Sequence, residues 1–211
     1  MFGDFNFADQ VAIYCASIDV HCRNELRNGT ITSERDYVSV LSARIRDGLR
    51  ISGHICHAQT LRQGIEVENG VDGIVLFQFN DEVKVGWYEA KWPRVRQNNY
   101  GWDSLHVVRG QSHFSEQIIK QHKWEGIVAL WEMFFNEAER GFESPPYEYF
   151  GSSCVWHNNT FEFMRVHGKI FESWTTSDLK LLLDGNCIGF YSIIYDILSC
   201  RKGKKMLIEK D

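Results

Sequence analysis

Three side chains suited to breaking a phosphate ester stand in two neighbouring segments of the chain. Asp72 opens the apolar run Val71-Asp72-Gly73-Ile74-Val75-Leu76-Phe77, and Glu89 and Lys91 lie two apart in Val85-Gly86-Trp87-Tyr88-Glu89-Ala90-Lys91. On an extended strand, residues two apart leave the same face, so the glutamate and the lysine project together. Two carboxylates at one spot repel and resist ionisation unless a cation joins them. A hard divalent ion, Mg²⁺ or Mn²⁺, binds through such oxygens and keeps positions open for a phosphate and a water. It stabilises charge developing at phosphorus and lowers the pKa of the attacking water. A lysine beside it, charged at neutral pH, can orient that water or steady the transition state. The chemistry expected of this set is metal-assisted hydrolysis of a phosphodiester.

The elements that must position these residues are legible around them. Two β runs, over 73–79 and 84–92, flank the turn residues Asn80-Asp81 and read as an antiparallel hairpin. A turn centred between Asp81 and Glu82 sets Asp72 and Lys91 equally far from it, which brings all three residues together. An earlier strand is expected over 55–61. Upstream, Val11, Cys15, Ile18, Cys22 and Leu26 recur at helical spacing over 8–27, with Gly29 as a stop. A second helix over 34–48 has Ser33 as N-cap and Asp36 three residues on. Val38, Leu41 and Ile45 form its apolar stripe, and Glu34 lies on that stripe one turn before Val38. After a loop over 93–111, helices are expected over 113–122 and 124–139, the latter from Ile127, Leu130, Trp131 and Phe134. Short strands over 152–156 and 160–166, a capped helix starting at Thr176 and an apolar helix near 188–199 complete the chain. The fold class is therefore α/β (α+β), a small mixed sheet flanked by helices.

Asp72 followed by Glu89-Ala90-Lys91, with Glu34 on a preceding helix, resembles the PD-(D/E)XK nuclease superfamily, the restriction-endonuclease-like fold. Val71 stands where that motif has its proline. The order of elements agrees with that family from about 33 to 123. The resemblance implies a metal-dependent nuclease with Asp72 and Glu89 as metal ligands, Lys91 as the catalytic lysine and Glu34 as an accessory ligand. It also implies a glutamine on the helix after the lysine strand, near the metal-bound phosphate. Gln117 is the candidate, on a helix that Ser112 caps, with Gln121 on the same face and His113 as a further candidate.

Between Lys91 and His113 the segment carries Arg94, Arg96 and Arg109 against a single acid, Asp103, with Trp92, Tyr100 and Trp102 interleaved. Cations of this kind neutralise phosphates and aromatic rings stack on bases. Arg94, Arg96, Arg109, His113 and Trp92 are the expected nucleic-acid contacts, with DNA the expected substrate. Cutting both strands of a duplex commonly needs two sites, so a homodimer is a reasonable assembly. Two other readings stay open: a catalytically silent nucleic-acid- or protein-binding module on the same fold, and a secreted effector or toxin that uses it.

Composition bounds the rest. The chain has 211 residues, 44% hydrophobic and 14% aromatic, enough for one domain with a sizeable core. Within it, 33–123 is the expected core, 124–200 an α/β elaboration and 201–211 a basic tail expected to be disordered. The net charge of −5 argues against a dedicated nucleic-acid coat protein. No stretch suits a membrane helix and the first residues do not read as a secretory signal, so a cytoplasmic protein is expected. The six cysteines are scattered and read as reduced core residues, and Cys154-x-x-His157 reads as a chance pairing rather than half of a zinc site.

Overall fold

The computed structural model describes residues 5–61, 63–93, 102–103, 112–137 and 151–208. In chain order the elements are α1 (Phe5–Arg27), α2 (Glu34–Ile51), β1 (Ile55–Thr60), α3 (Gln63–Asn69), β2 (Gly73–Phe79), β3 (Glu82–Lys91), α4 (His113–His122), β4 (Ala129–Phe134), β5 (Ser153–Trp156), α5 (His157–Val166), α6 (Thr176–Leu183), β6 (Ile188–Gly189), α7 (Phe190–Leu198) and β7 (Lys205–Leu207). The fold is α/β: one open mixed sheet in the order β1-β2-β3-β4-β5-β6, with β7 also paired to β3. Among the described strands, only the β3–β4 pair is parallel.

Local chemistry explains the elements around the hairpin. Ser33 Oγ accepts the Asp36 N–H at 3.0 Å, satisfying one of the orphan donors that open α2. Glu34 and Asp36 in that first turn suit the positive end of the helix. Phe79 pairs with Glu82 across a two-residue turn, Asn80-Asp81, in which Asn80 takes φ 54. That left-handed conformation is one asparagine tolerates in tight hairpins. The turn centre therefore falls one residue earlier than the spacing suggests. The register moves by two, and every side chain keeps its face.

The two faces of the sheet bury separate cores. On one side Val11, Cys15, Tyr37, Leu41 and Ile45 from α1 and α2 and Ile193, Ile194 and Ile197 from α7 close over Val75, Phe77, Tyr88, Ala90, Trp131 and Met133. On the other, Phe114 and Ile118 of α4, Met164 of α5, Leu179 and Leu182 of α6 and Trp174 pack on Phe134 and Val155. Each fully buried aliphatic or aromatic side chain contributes about 1.5–3 kcal/mol, so both layers hold the sheet.

Three expectations are corrected. The segment expected as a helix over 124–139 contains β4 instead. All six of its residues are buried, with Trp131 and Met133 turned to one core and Phe134 to the other. A strand covered on both faces has no polar alternation, and its apolar run mimics helical spacing. The segment 160–166 is helical, part of α5, with His157, Thr160 and Met164 buried at three- and four-residue spacing. The basic tail is ordered as far as residue 208. Lys205–Leu207 pairs with Glu82–Lys84, and the buried Lys84 Nζ donates to Lys202 O at 2.7 Å and Gly203 O at 2.6 Å. The cysteines are free thiols. Cys154 packs in the larger core, and His157 Nδ1 lies 3.0 Å from Glu132 Oε1.

Candidate active site at the hairpin end

The hairpin delivers Asp72, Glu89 and Lys91 to one end of the sheet. Gly73 pairs with Tyr88, and just beyond it the Asp72 N–H donates to Tyr88 O at 2.9 Å, which sets Asp72 beside Glu89. Asp72 Oδ2 accepts the Ala90 N–H at 2.8 Å, fixing its carboxylate against β3. Glu89 is fully buried (0% exposed). Its Oε1 accepts a short hydrogen bond from Lys91 Nζ, while Oε2 is buried without a hydrogen-bond partner.

The start of α2 closes the cluster from the side. Glu34 Oε2 accepts the Trp92 N–H at 2.8 Å, and its Oε1 lies 3.9 Å from Lys91 Nζ. Lys91 is 17% exposed and Glu34 38%, so the glutamate reaches solvent where the lysine does not. Nζ also stands 5.9 Å from the centre of the Phe114 ring.

The electrostatics follow from this packing. Burial, then the nearby Asp72 and Glu34, push Glu89 well above the ordinary carboxylate range, against the pull of Lys91. Burial alone would lower Lys91, but Glu89, Glu34 and Asp72 outweigh it and hold the ammonium above the usual lysine range. Lys91 is thus a permanent cation among three acids.

A residue not singled out from the sequence completes the surroundings. Glu66 on α3 lines a hollow of about 80 Å³ together with Glu34, Asp72, Arg35, Val38 and Thr60. Burial and Asp72 raise its pKa while Arg35, 4.0 Å away, opposes the shift. About 10–15 Å³ of such volume holds a water, so the hollow has room for an ion with part of its hydration shell. Glu89 does not line this hollow. Among the described residues no three His, Cys, Asp or Glu side chains are arranged as a ready metal cage. The Lys91 ammonium occupies the middle of the acidic group and neutralises Glu89 directly.

The remaining expected residues are placed less directly. Gln117 lies on α4 with Oε1 buried and unpartnered. Its backbone packs on Gly70, two residues ahead of Asp72: a Cβ there would come within 2.6 Å of Gln117 O, and Gly70 takes φ +68. Gln121 Nε2 donates to Gly70 O. His113 is exposed at the first turn of α4. The Trp92 ring packs against the larger core, and its backbone N–H is what the site uses. Arg94, Arg96 and Arg109 lie outside the described residues. Asp103 accepts from Ser112 Oγ at 2.6 Å and from the backbone N–H groups of Phe114 and Trp174 at 3.1 and 3.2 Å, so it anchors the start of α4.

The donor set suits a hard divalent cation. Glu34, Glu66 and Asp72 line one hollow, and Glu89 Oε2 is an orphaned buried acceptor. No protein-family model matches the chain, and no curated protein matches it.

Proposed function

We propose that this protein is a metal-dependent nuclease that hydrolyses phosphodiester bonds, with DNA as its substrate. The observation that carries the proposal is the convergence of Asp72, Glu89, Lys91 and Glu34 at one end of the sheet, with Glu89 Oε2 buried and unpartnered. A buried acceptor costs about 1–3 kcal/mol when left unsatisfied, and such a cost persists where a ligand relieves it. The elements around the cluster run α2, β1, α3, β2, β3, α4: a helix, an antiparallel hairpin and a following helix.

Asp72 and Glu89 would hold the ion, with Glu34 as its accessory ligand. Mg²⁺ or Mn²⁺, when bound, supplies a Lewis acid for the phosphoryl oxygens and lowers the pKa of a bound water. Lys91, kept charged by its acidic neighbours, donates to the attacking water or to the anionic transition state. Gln117, whose Oε1 is buried without a partner, is the further acceptor assigned to substrate or water in this reading. Arg35, on the rim of the hollow and 66% exposed, is a cation within reach of a phosphate.

Calorimetric binding of Mn²⁺ to the wild type and to Asp72→Ala, with plasmid nicking on the same samples, tests the proposal. Binding and nicking that both vanish in the variant support it; wild-type protein that binds no Mn²⁺ sinks it. One observation favours a second reading, a binding module without turnover: Lys91 already neutralises Glu89 without a metal. That module would retain nucleic acid and return it intact in the presence of Mn²⁺.

A further inference from the structure

A buried polar network links α1 to the first turn of α2. Tyr37 stands three residues after Glu34 and is fully buried. Its hydroxyl donates to Asp19 Oδ1 at 2.6 Å and lies 3.2 Å from both Asp19 O and Ser152 Oγ. Asp19, equally buried on α1, also accepts from Ser152 N at 2.6 Å and Ser152 Oγ at 2.7 Å. The Tyr37 ring lies flat on Phe135, centroids 4.0 Å apart and 7° from parallel. Phe135 N–H in turn donates to Lys91 O at 3.0 Å. One tyrosine therefore ties the start of α2 to α1 through its hydroxyl and to the Lys91 end of β3 through its ring.

We infer that Tyr37 and Asp19 are positioning residues for Glu34. Residues three apart on a helix share a face, so fixing Tyr37 fixes where the Glu34 carboxylate stands. The hydrogen bond to Asp19 sets the depth of that first turn. Depth decides whether Oε2 meets the Trp92 N–H and whether Oε1 stays near Lys91. Core packing alone leaves such a turn free to slide by a fraction of an ångström, whereas a short bond to a buried carboxylate is directional. The role of Glu34 as accessory metal ligand rests on the proposed nuclease function; its placement by Tyr37 does not.

Tyr37→Phe keeps the ring on Phe135 and leaves Asp19 with both Ser152 donors, so no buried charge is stranded. The Trp92 amide, followed by hydrogen–deuterium exchange in nitrogen–proton correlation NMR, reads the placement directly, because its N–H donates to Glu34 Oε2 at 2.8 Å. In Tyr37→Phe that protection is expected to be lost and Mn²⁺ affinity to fall about tenfold, the size of loss typical when a ligand's supporting hydrogen bond is removed. Asp19→Asn should reduce the Trp92 protection in the same direction, and serves if Tyr37→Phe does not fold. In a Glu34→Gln background, Tyr37→Phe should change Mn²⁺ affinity no further. Ser152→Ala, which removes the second hydroxyl donor to Asp19 Oδ1 and keeps the Tyr37 bond, should leave the Trp92 protection intact.

A Trp92 amide that stays protected in Tyr37→Phe overturns the positioning role. So does a full additional loss of affinity in the double variant, or an equal disturbance by Ser152→Ala. Wild-type protein that binds no Mn²⁺ overturns the nuclease function alone, and the Trp92 amide still decides the placement of Glu34.

Discussion

Two buried glutamates sit side by side on the central parallel pair and are treated in opposite ways. Glu89 on β3 and Glu132 on β4 are register partners, both fully buried. Glu132 has each oxygen occupied: His157 Nδ1 lies 3.0 Å from Oε1, and Thr160 Oγ1 donates to Oε2 at 2.8 Å. Glu89 has a partner on one oxygen and none on the other. The surroundings of Glu132 are closed, a carboxylate used as a structural pin between the sheet and α5. Those of Glu89 leave Oε2 without a partner and are crowded by further acids. Burial alone does not mark a functional carboxylate; incomplete satisfaction beside other charges does.

That contrast can be broken most sharply by exchanging each acid for its amide. Glu89→Gln should lose more than about 100-fold in Mn²⁺ affinity, beyond the loss typical of an outer hydrogen-bonding partner, and should stop nicking. Glu132→Gln should bind Mn²⁺ as the wild type does but unfold more easily, by about 1–3 kcal/mol, because only one of the two oxygens used by His157 and Thr160 remains an acceptor. Urea denaturation and calorimetry on both proteins settle the matter. Equal metal loss in both would mean that the two glutamates form one site.

The pH dependence sharpens it further. Because Glu89 is held above the ordinary carboxylate range, it carries a proton in the folded protein at pH values where the unfolded chain has lost it. Folding then binds protons, so without metal this group favours the folded state at low pH. That contribution is lost as pH rises through the raised value. Metal binding must displace the proton. Mn²⁺ affinity should therefore rise with pH by up to about tenfold per unit and release close to one proton per ion. Titrations in two buffers of different ionisation enthalpy measure that release. An affinity independent of pH would remove Glu89 from the ligand set.

The smallest effect concerns the rim. Arg35→Ala breaks a 4.0 Å pair with Glu66 that is largely open to water. Stability should change by less than about 0.5 kcal/mol. DNA binding should weaken with a shallower salt dependence, as expected when one phosphate contact is lost.

The site's core was readable in the sequence because its parts are local. Asp72, Glu89 and Lys91 belong to one hairpin with strong period and turn signals, and Glu34 follows a clear N-cap. Glu66 was not readable. It sits on a seven-residue helix without a distinct stripe, and it reaches Asp72 only through tertiary packing. Asp103 reads as a lone acid in a basic loop, yet its carboxylate anchors the start of α4, from a position nine residues before Ser112. The place of β4 at the heart of the sheet was hidden for the reason given above, an apolar run with no polar face. Neither could the spacing reveal that β3 shares one edge between β4 and β7.

The divided edge of β3 bears on the order in which the molecule assembles. Pairing β2 with β3 closes only a two-residue turn, whereas β7 must return across 118 residues for Lys84 to reach Lys202 O. Loop closure over such a span is entropically dear and comes late. The acidic cluster is thus built from early, short-range contacts, and the C-terminal strand seals the far end of the same strand afterwards. In a refolding experiment, fluorescence from Trp87 and Trp92 beside the hairpin should reach its final value before amide protection appears along Lys205–Leu207.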